Sequence, residues 1–100
     1  MKNLEDLVKT IRDRKNGDSD KSYTSSLLSG GLSKCIDKME EEFDELKEAL
    51  NDKSNIVHEA ADTIYHILVT LEAADIKFED VLKELEDRKK QSGIEEKNNR

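Results

Sequence analysis

The fold of this chain is decided by residues 32–74, which read LSKCIDKMEEEFDELKEALNDKSNIVHEAADTIYHILVTLEAA. Apolar residues recur through its first half at the spacing of one helix face, and this stripe comprises Leu32, Ile36, Met39, Phe43, Leu46 and Leu50. The pattern predicts a helix from about Leu32 to Leu50, a turn at residues 51–54, and a second helix from about Asn55 to Ala74. Because the apolar face of the second helix is wide, we expect it to be the central helix.

Shorter helical segments flank this pair. Their apolar residues follow the same helical spacing and are Leu4, Leu7, Val8 and Ile11 on one side, and Phe78, Val81, Leu82 and Leu85 on the other. Between the first of these segments and the long pair, Ser22 is suited to cap a brief turn through Leu27 and Leu28. Gly30 and Gly31 end this turn. Short connections favour antiparallel neighbours. We therefore predict an all-α helical bundle with about four main helices, in a single domain over residues 1–90, followed by a polar tail over residues 91–100.

Composition limits the classes of partner. A chain of 100 residues with 34% hydrophobic residues has little material for a core, so we expect a homodimer to complete it. With 24 acidic and 17 basic residues the net charge is -7, which opposes binding to nucleic acid and to anionic membranes. No segment approaches the roughly 20 apolar residues of a membrane span. The lone Cys35 fits an apolar filler in a reduced, cytoplasmic setting.

Two pairs of carboxylates lie beside the apolar stripes. At ~100° per residue, Glu42 and Glu45 lie next to the apolar seam of the first long helix, and Glu59 and Asp62 share a stripe of the second. Acids at the edge of a core are costly unless a positive group pairs with them. On antiparallel helices the two pairs can converge on one divalent cation. All-oxygen ligands favour Mg²⁺, which often joins carboxylates to substrate phosphates, so the pattern indicates phosphate chemistry.

The same acids also fit a solvated, charge-balanced helix face. Lys38 can pair with Glu41 and Glu42 at i+3 and i+4, for about 0.2–0.5 kcal/mol per pair. On this interpretation the chain is a helical interaction module without a metal site.

A di-iron bundle of the ferritin type is a third possibility, and it requires Glu-x-x-His pairs on two helices. The residues three positions before His58 and His66 are Asn55 and Thr63, so neither histidine belongs to such a pair. We therefore expect His58 on the surface of a first helical turn, and His66 as a hydrogen-bonded packing residue.

Four segments of the chain carry more specific patterns. They are residues 22–28 (SYTSSLL), Lys38 followed by Glu41-Glu42-x-x-Glu45, Glu59-Ala60-Ala61-Asp62-x-x-Tyr65-His66, and Arg88-x-x-Gln91-Ser92-Gly93-Ile94-Glu95-Glu96-Lys97. Together they resemble the phosphoribosyl-ATP pyrophosphatase family. The acidic segments alone are shared with the wider all-α nucleotide pyrophosphatase superfamily of the MazG type. The chain departs from the family pattern at Glu40, where glycine is usual, and at Lys77, where a serine-like cap usually precedes the last helix.

The resemblance implies Mg²⁺-dependent hydrolysis of phosphoribosyl-ATP to phosphoribosyl-AMP and pyrophosphate, the second step of histidine biosynthesis, by a homodimer. Carried onto matching positions, it implies a metal site of Glu41, Glu42, Glu45, Glu59 and Asp62, with Lys38 contacting phosphate. Because Glu42/Glu45 and Glu59/Asp62 form the natural ligand pairs, Glu41 is the candidate general base. Candidate substrate contacts are Ser22, Tyr23, Thr24 and Arg88. The alternative enzyme is a related pyrophosphatase acting on a free nucleotide such as dUTP or dCTP.

Overall fold

The structure is a computed structural model that describes residues 2–18 and 20–89. Over these residues the chain forms no strand and five α-helices: α1 (Lys2–Asp13), α2 (Tyr23–Ser29), α3 (Gly31–Asp52), α4 (Ile56–Ala73) and α5 (Phe78–Arg88). The all-α prediction is confirmed, and both ends of α3 and α4 lie within two residues of the predicted bounds. The predicted polar tail, residues 91–100, lies outside the described residues. In the described part of the chain, no helix combines the length and the apolar character that a membrane crossing requires.

The brief turn predicted after Ser22 is a helix of seven residues, so the bundle has five helices. Ser22 is its N-cap: the backbone is extended there, and the side-chain oxygen accepts the amide hydrogen of Ser25. The helix ends at Gly30, and Gly31 then begins α3 with a φ of 87°, a conformation that glycine adopts without strain. This short helix carries Leu27 and Leu28 into the core.

The core lies around α4, which contacts each of the other four helices. Its buried members are Val8, Ile11, Leu27, Leu28, Cys35, Leu68 and Val69. The expectation that α4 is the central helix is therefore confirmed. Cys35 fills a gap in this core and its thiol donates to the carbonyl of Leu27 at 3.3 Å, while burial raises the pKa of the thiol. These features suit an unreactive packing residue.

Two buried threonines one heptad apart join α4 to α3. Thr63 Oγ1 lies 3.2 Å from the carbonyl oxygen of Glu42, and Thr70 Oγ1 lies 3.2 Å from that of Cys35. Each hydroxyl also lies 2.7 Å from the carbonyl four residues earlier in α4. The two contacts are seven residues apart on each helix, and they follow in opposite order along α4 and α3. The two helices form an antiparallel hairpin whose register these hydroxyls help to fix.

Ion pairs hold α1 against the end of α4 and the start of α5. Arg12 Nη2 lies 3.0 Å from Glu79, and Lys15 pairs with Asp75 and Glu72. Such partly exposed pairs contribute about 0–1 kcal/mol each, so the apolar core supplies most of the stability.

The burial of a leucine predicts how much its truncation to alanine lowers the free energy of unfolding. Leu27 is 1% exposed and Leu85 is 51% exposed. We expect Leu27→Ala to lower the free energy of unfolding by about 2–5 kcal/mol, because it removes apolar burial and leaves a cavity. The same truncation at Leu85 should cost less than about 1 kcal/mol. Urea denaturation of both variants checks this, and equal losses would contradict the assigned core.

Candidate functional site

One turn of α3 and the first turn of α4 bring three carboxylates together. Glu42, Glu45 and Glu59 each place an oxygen atom within 4.8 Å of the others. One oxygen of Glu42 and one of Glu59 are buried and have no hydrogen-bond partner among residues 2–18 and 20–89. Buried carboxylate oxygens without a partner are costly, and a divalent cation is the partner that such an all-oxygen donor set suits. The residues present therefore fit a bound metal ion.

A second group lies next to the first and shares Glu59 with it. His58, Glu59 and Asp62 also place their potential ligand atoms within 4.8 Å of one another. His58 Nε2 lies 3.2 Å from Asp62 Oδ2, one helical turn away, and its side chain is 63% exposed. The surface position predicted for His58 is confirmed, but its contact with Asp62 was not foreseen, although the i, i+4 spacing indicates it. The four predicted carboxylates thus meet in two overlapping groups.

Burial and, after it, crowding of like charges both raise pKa values in the cluster. Burial raises the pKa of Glu42, and the neighbouring Glu45 raises it further. The same two causes, in the same order, raise the pKa of Glu59. The folded chain without a cation therefore holds these carboxylates in a setting that disfavours their charged form. A divalent cation would reverse that effect, since it stabilises the ionised ligands.

Lys38 and Glu41 form an ion pair beside the cluster. Lys38 Nζ lies 3.2 Å from Glu41 Oε2, the side chains are 41% and 61% exposed, and the bond to Glu41 raises the pKa of Lys38. Glu41 belongs to neither of the two carboxylate groups. This is the i, i+3 pair that the solvated-face interpretation anticipated, so the acidic run is divided between a solvated pair and a partly buried cluster.

An acidic groove opens at the α3–α4 turn next to the cluster. Its volume is about 210 Å³, and its lining residues are Glu45, Glu48, Ala49, Asp52, Ser54, Asn55 and Glu59. Two residues of this turn, Lys53 and Asn55, have left-handed backbone with φ of 56° and 57°. The tight turn brings the start of α4 back against α3 and places Glu59 opposite Glu45.

An aromatic cluster connects α2 to the Asp62 side of the site. The hydroxyl of Tyr23 lies 3.1 Å from His66 Nε2, and His66 Nδ1 lies 2.8 Å from the carbonyl oxygen of Asp62. The rings of Tyr23 and Tyr65 stack with centroids 6.4 Å apart. His66 is only 5% exposed, so its prediction as a hydrogen-bonded packing residue is confirmed.

The remaining predicted substrate contacts have structural partners of their own. Ser22 caps α2, and the hydroxyl of Thr24 is hydrogen-bonded to that of Tyr65. Arg88 lies in the last turn of α5, where its Nε donates to Glu84 at 3.2 Å. Tyr23 is thus linked through His66 to the main chain of Asp62. Contacts of Ser22, Tyr23, Thr24 and Arg88 with substrate stay predictions.

The fold and the site together define an all-α protein with a carboxylate-lined site suited to a divalent cation. The sequence model of the phosphoribosyl-ATP pyrophosphohydrolase family matches residues 4–89. The phosphoribosyl-ATP pyrophosphatase of Ruegeria pomeroyi is 46% identical over 99 residues, which cover 97% of this chain and 94% of that protein. That of Rhizobium etli is 41% identical, with 97% and 92% covered. This chain therefore belongs to the phosphoribosyl-ATP pyrophosphohydrolase family, which confirms the resemblance and the prediction of a hydrolase.

The raised pKa of Glu42 predicts how stability depends on pH without metal. Because the folded-state pKa lies above the ordinary value of 4.5, the folded chain binds more protons between the two values, and stability falls as pH rises through that window. We expect Glu42→Gln, in the presence of a chelator, to melt at a higher temperature than the original protein at pH 7. The difference should disappear near pH 4. Calorimetric scans at both pH values test this, and a lower melting temperature of Glu42→Gln at pH 7 would contradict it.

Proposed function

We propose that this chain hydrolyses phosphoribosyl-ATP to phosphoribosyl-AMP and pyrophosphate with Mg²⁺ as cofactor, the second step of histidine biosynthesis. The observation that carries the proposal is the buried, unpartnered pair of oxygens on Glu42 and Glu59 in a chain of this family. A cytoplasmic location belongs to the same proposal, because the single cysteine is buried and free.

Glu42, Glu45, Glu59 and Asp62 would hold the ion. They lie on two helices that the Thr63 and Thr70 hydroxyls help to keep in register, so in the proposal the packing of the two helices would preorganise the ligand set. When bound there, Mg²⁺ supplies charge neutralisation on phosphate oxygens and increases the acidity of a water that it binds. The carboxylates would orient the ion, and His58 is placed to hold Asp62 from the solvent side.

Lys38 and Glu41 have roles at the edge of this site in the proposal. The Lys38 side chain lies one helical turn before Glu42 and is 41% exposed, so its ammonium could attract an anionic phosphate from solvent. Glu41 is the proposed general base, because its carboxylate is not part of either candidate ligand group. Its contact with Lys38 means that a phosphate bound by Lys38 would compete with that pair and leave Glu41 able to accept a proton.

Two alternatives make different predictions. A helical interaction module would gain no stability from Mg²⁺, and family membership favours an enzyme instead. A pyrophosphatase for a free nucleotide would share the carboxylates, and would differ outside them, where we propose that Ser22, Thr24 and Arg88 contact the larger substrate. Faster hydrolysis of dUTP or dCTP than of phosphoribosyl-ATP by the purified protein would select that alternative.

Substitution of two proposed ligands tests the metal site. We expect Glu42→Gln and Asp62→Asn each to lower kcat by about 100-fold or more, because even groups that only orient metal ligands are worth 10–100-fold. Mg²⁺ at about 100 times its Kd should stabilise the original protein by about 2.7 kcal/mol, and both variants should lose most of this gain.

Asp44→Asn is the matched control. Asp44 lies in the same acidic run but outside both carboxylate groups, and it should keep its activity and its response to Mg²⁺. Initial rates of pyrophosphate release and thermal scans with and without Mg²⁺ give both measurements. A variant of Glu42 or Asp62 with undiminished turnover would remove that residue from the proposed site.

We also propose that the protein is a homodimer. Exposed apolar residues on α3 and α4 form two pairs, each separated by seven residues and so on one helix face: Phe43 with Leu50, and Val57 with Ile64. Val57 is 84% exposed and Ile64 is 51% exposed in the single chain. A second copy that covers the exposed apolar pairs of α3 and α4 would complete the core, which is small for 100 residues.

A charge on this apolar face should separate the copies. We expect sedimentation at micromolar concentration to give about twice the chain mass of 11.4 kDa for the original protein, and the chain mass for Ile64→Asp. Leu85→Asp places the same charge on an equally exposed leucine of α5 and should remain dimeric. A monomeric original protein would rule out the dimer.

A further inference from the structure

The hydrogen bonds of His66 determine which atoms of this ring carry hydrogen. His66 Nδ1 lies 2.8 Å from the backbone carbonyl oxygen of Asp62, and a carbonyl can only accept. Nδ1 therefore donates. In the neutral ring Nε2 is then the acceptor, so the hydroxyl of Tyr23, 3.1 Å away, donates to it.

This direction of donation affects what Tyr23 offers to a ligand. Its hydroxyl hydrogen is directed to His66, so the oxygen has only lone pairs left to offer to a ligand. Tyr23 is 58% exposed, and its bond to His66, which is itself bonded to the main chain of Asp62, holds its hydroxyl near one of the proposed metal ligands. Desolvation raises the pKa of Tyr23, consistent with a phenol that keeps its hydrogen. A phosphate oxygen, itself an acceptor, is a poor partner for such a group.

We propose that His66 is a positioning residue that fixes Tyr23 as a hydrogen-bond acceptor for a hydroxyl or amine on the nucleoside part of the substrate, and not for its phosphates. The inference rests on the proposed function of the site. It makes the role predicted for Tyr23 more specific, since the sequence indicated only a contact with the substrate. The stacked ring of Tyr65 supports the orientation of the Tyr23 ring, while His66 sets the direction of its hydroxyl.

The first test needs no substrate. The chain contains two histidines, so a long-range proton–nitrogen NMR spectrum resolves both rings, and His58→Asn assigns them. We expect His66 to carry hydrogen on Nδ1 and none on Nε2. Tyr23→Phe should shift the Nε2 resonance and leave hydrogen on Nδ1. Hydrogen on Nε2 in the original protein would overturn the proposal.

The second test is a double-mutant cycle. His66→Asn retains an amide donor near the Asp62 carbonyl but cannot reach Tyr23, and Tyr23→Phe removes the same bond from the other side. Each should lower kcat/KM for phosphoribosyl-ATP by about tenfold, the upper end of what one hydrogen bond is worth. The double variant should lose no more than either single one, since both act through one bond.

Tyr65→Phe provides the matched control, because it removes a phenol hydroxyl that bonds to Thr24 and not to His66. Combined with His66→Asn, its effect should be additive. Additive losses for Tyr23→Phe and His66→Asn would overturn the positioning role. If His66→Asn does not fold, the NMR comparison of Tyr23→Phe still decides the hydrogen-bond direction.

A phosphate-only probe separates the two roles of Tyr23. Tyr23→Phe should raise KM for phosphoribosyl-ATP and leave the inhibition constant of tripolyphosphate unchanged, because tripolyphosphate has no nucleoside donor. Equal weakening of both would show that Tyr23 binds phosphate and would overturn the proposal. An original protein that does not hydrolyse phosphoribosyl-ATP would defeat the proposed function, and that result is distinct from either outcome for Tyr23.

Discussion

The antiparallel pairing of α3 and α4 is the constraint on which the rest of the structure depends. Thr63 and Thr70 lie on the buried side of α4, and their hydroxyls reach carbonyl oxygens of α3 one heptad apart. A shift of α4 by one helical turn would break both contacts and would move Glu59 away from Glu42 and Glu45. The same register therefore packs the core and forms the acidic cluster. Polar groups buried in a hairpin specify one alignment more sharply than apolar contacts, which tolerate sliding.

The acidic cluster lowers the stability of the folded chain, and its geometry suits a metal site. Glu42 and Glu59 each place an oxygen in a buried position without a hydrogen-bond partner in the described part of the chain, and burial raises the pKa of both. A chain selected for stability alone would use apolar residues at such positions. The neighbouring Lys38 does not neutralise the cluster, because it pairs with Glu41. Strain of this kind is typical of sites that are completed by a cation, since the ligands stay in place at the expense of folding free energy.

Some contacts of the site could be predicted from the sequence and others could not. The i, i+3 spacing of Glu42/Glu45 and Glu59/Asp62, together with short connections, sufficed to predict that acids from two helices meet. The Ser22 cap was recognisable because capping is a local interaction. The contact between His58 and Asp62 is equally local, but an exposed first-turn histidine carries no sign that it faces a site. The bond from Tyr23 to His66 joins residues 43 positions apart and no local pattern encodes it.

The sequence by itself determined the four main helices, the Ser22 cap, the central place of α4 and the family, because helical periodicity and motif spacing are properties of neighbouring residues. Only the tertiary structure decided which oxygens are buried without partners, that Glu59 belongs to both acidic groups, and that Glu41 turns to Lys38. It also decided that the Tyr23 hydroxyl meets His66 and that His66 meets the carbonyl of Asp62. These features depend on helix register and on side-chain direction across a packed interface, and distances between atoms remote in sequence are fixed only when the helices pack.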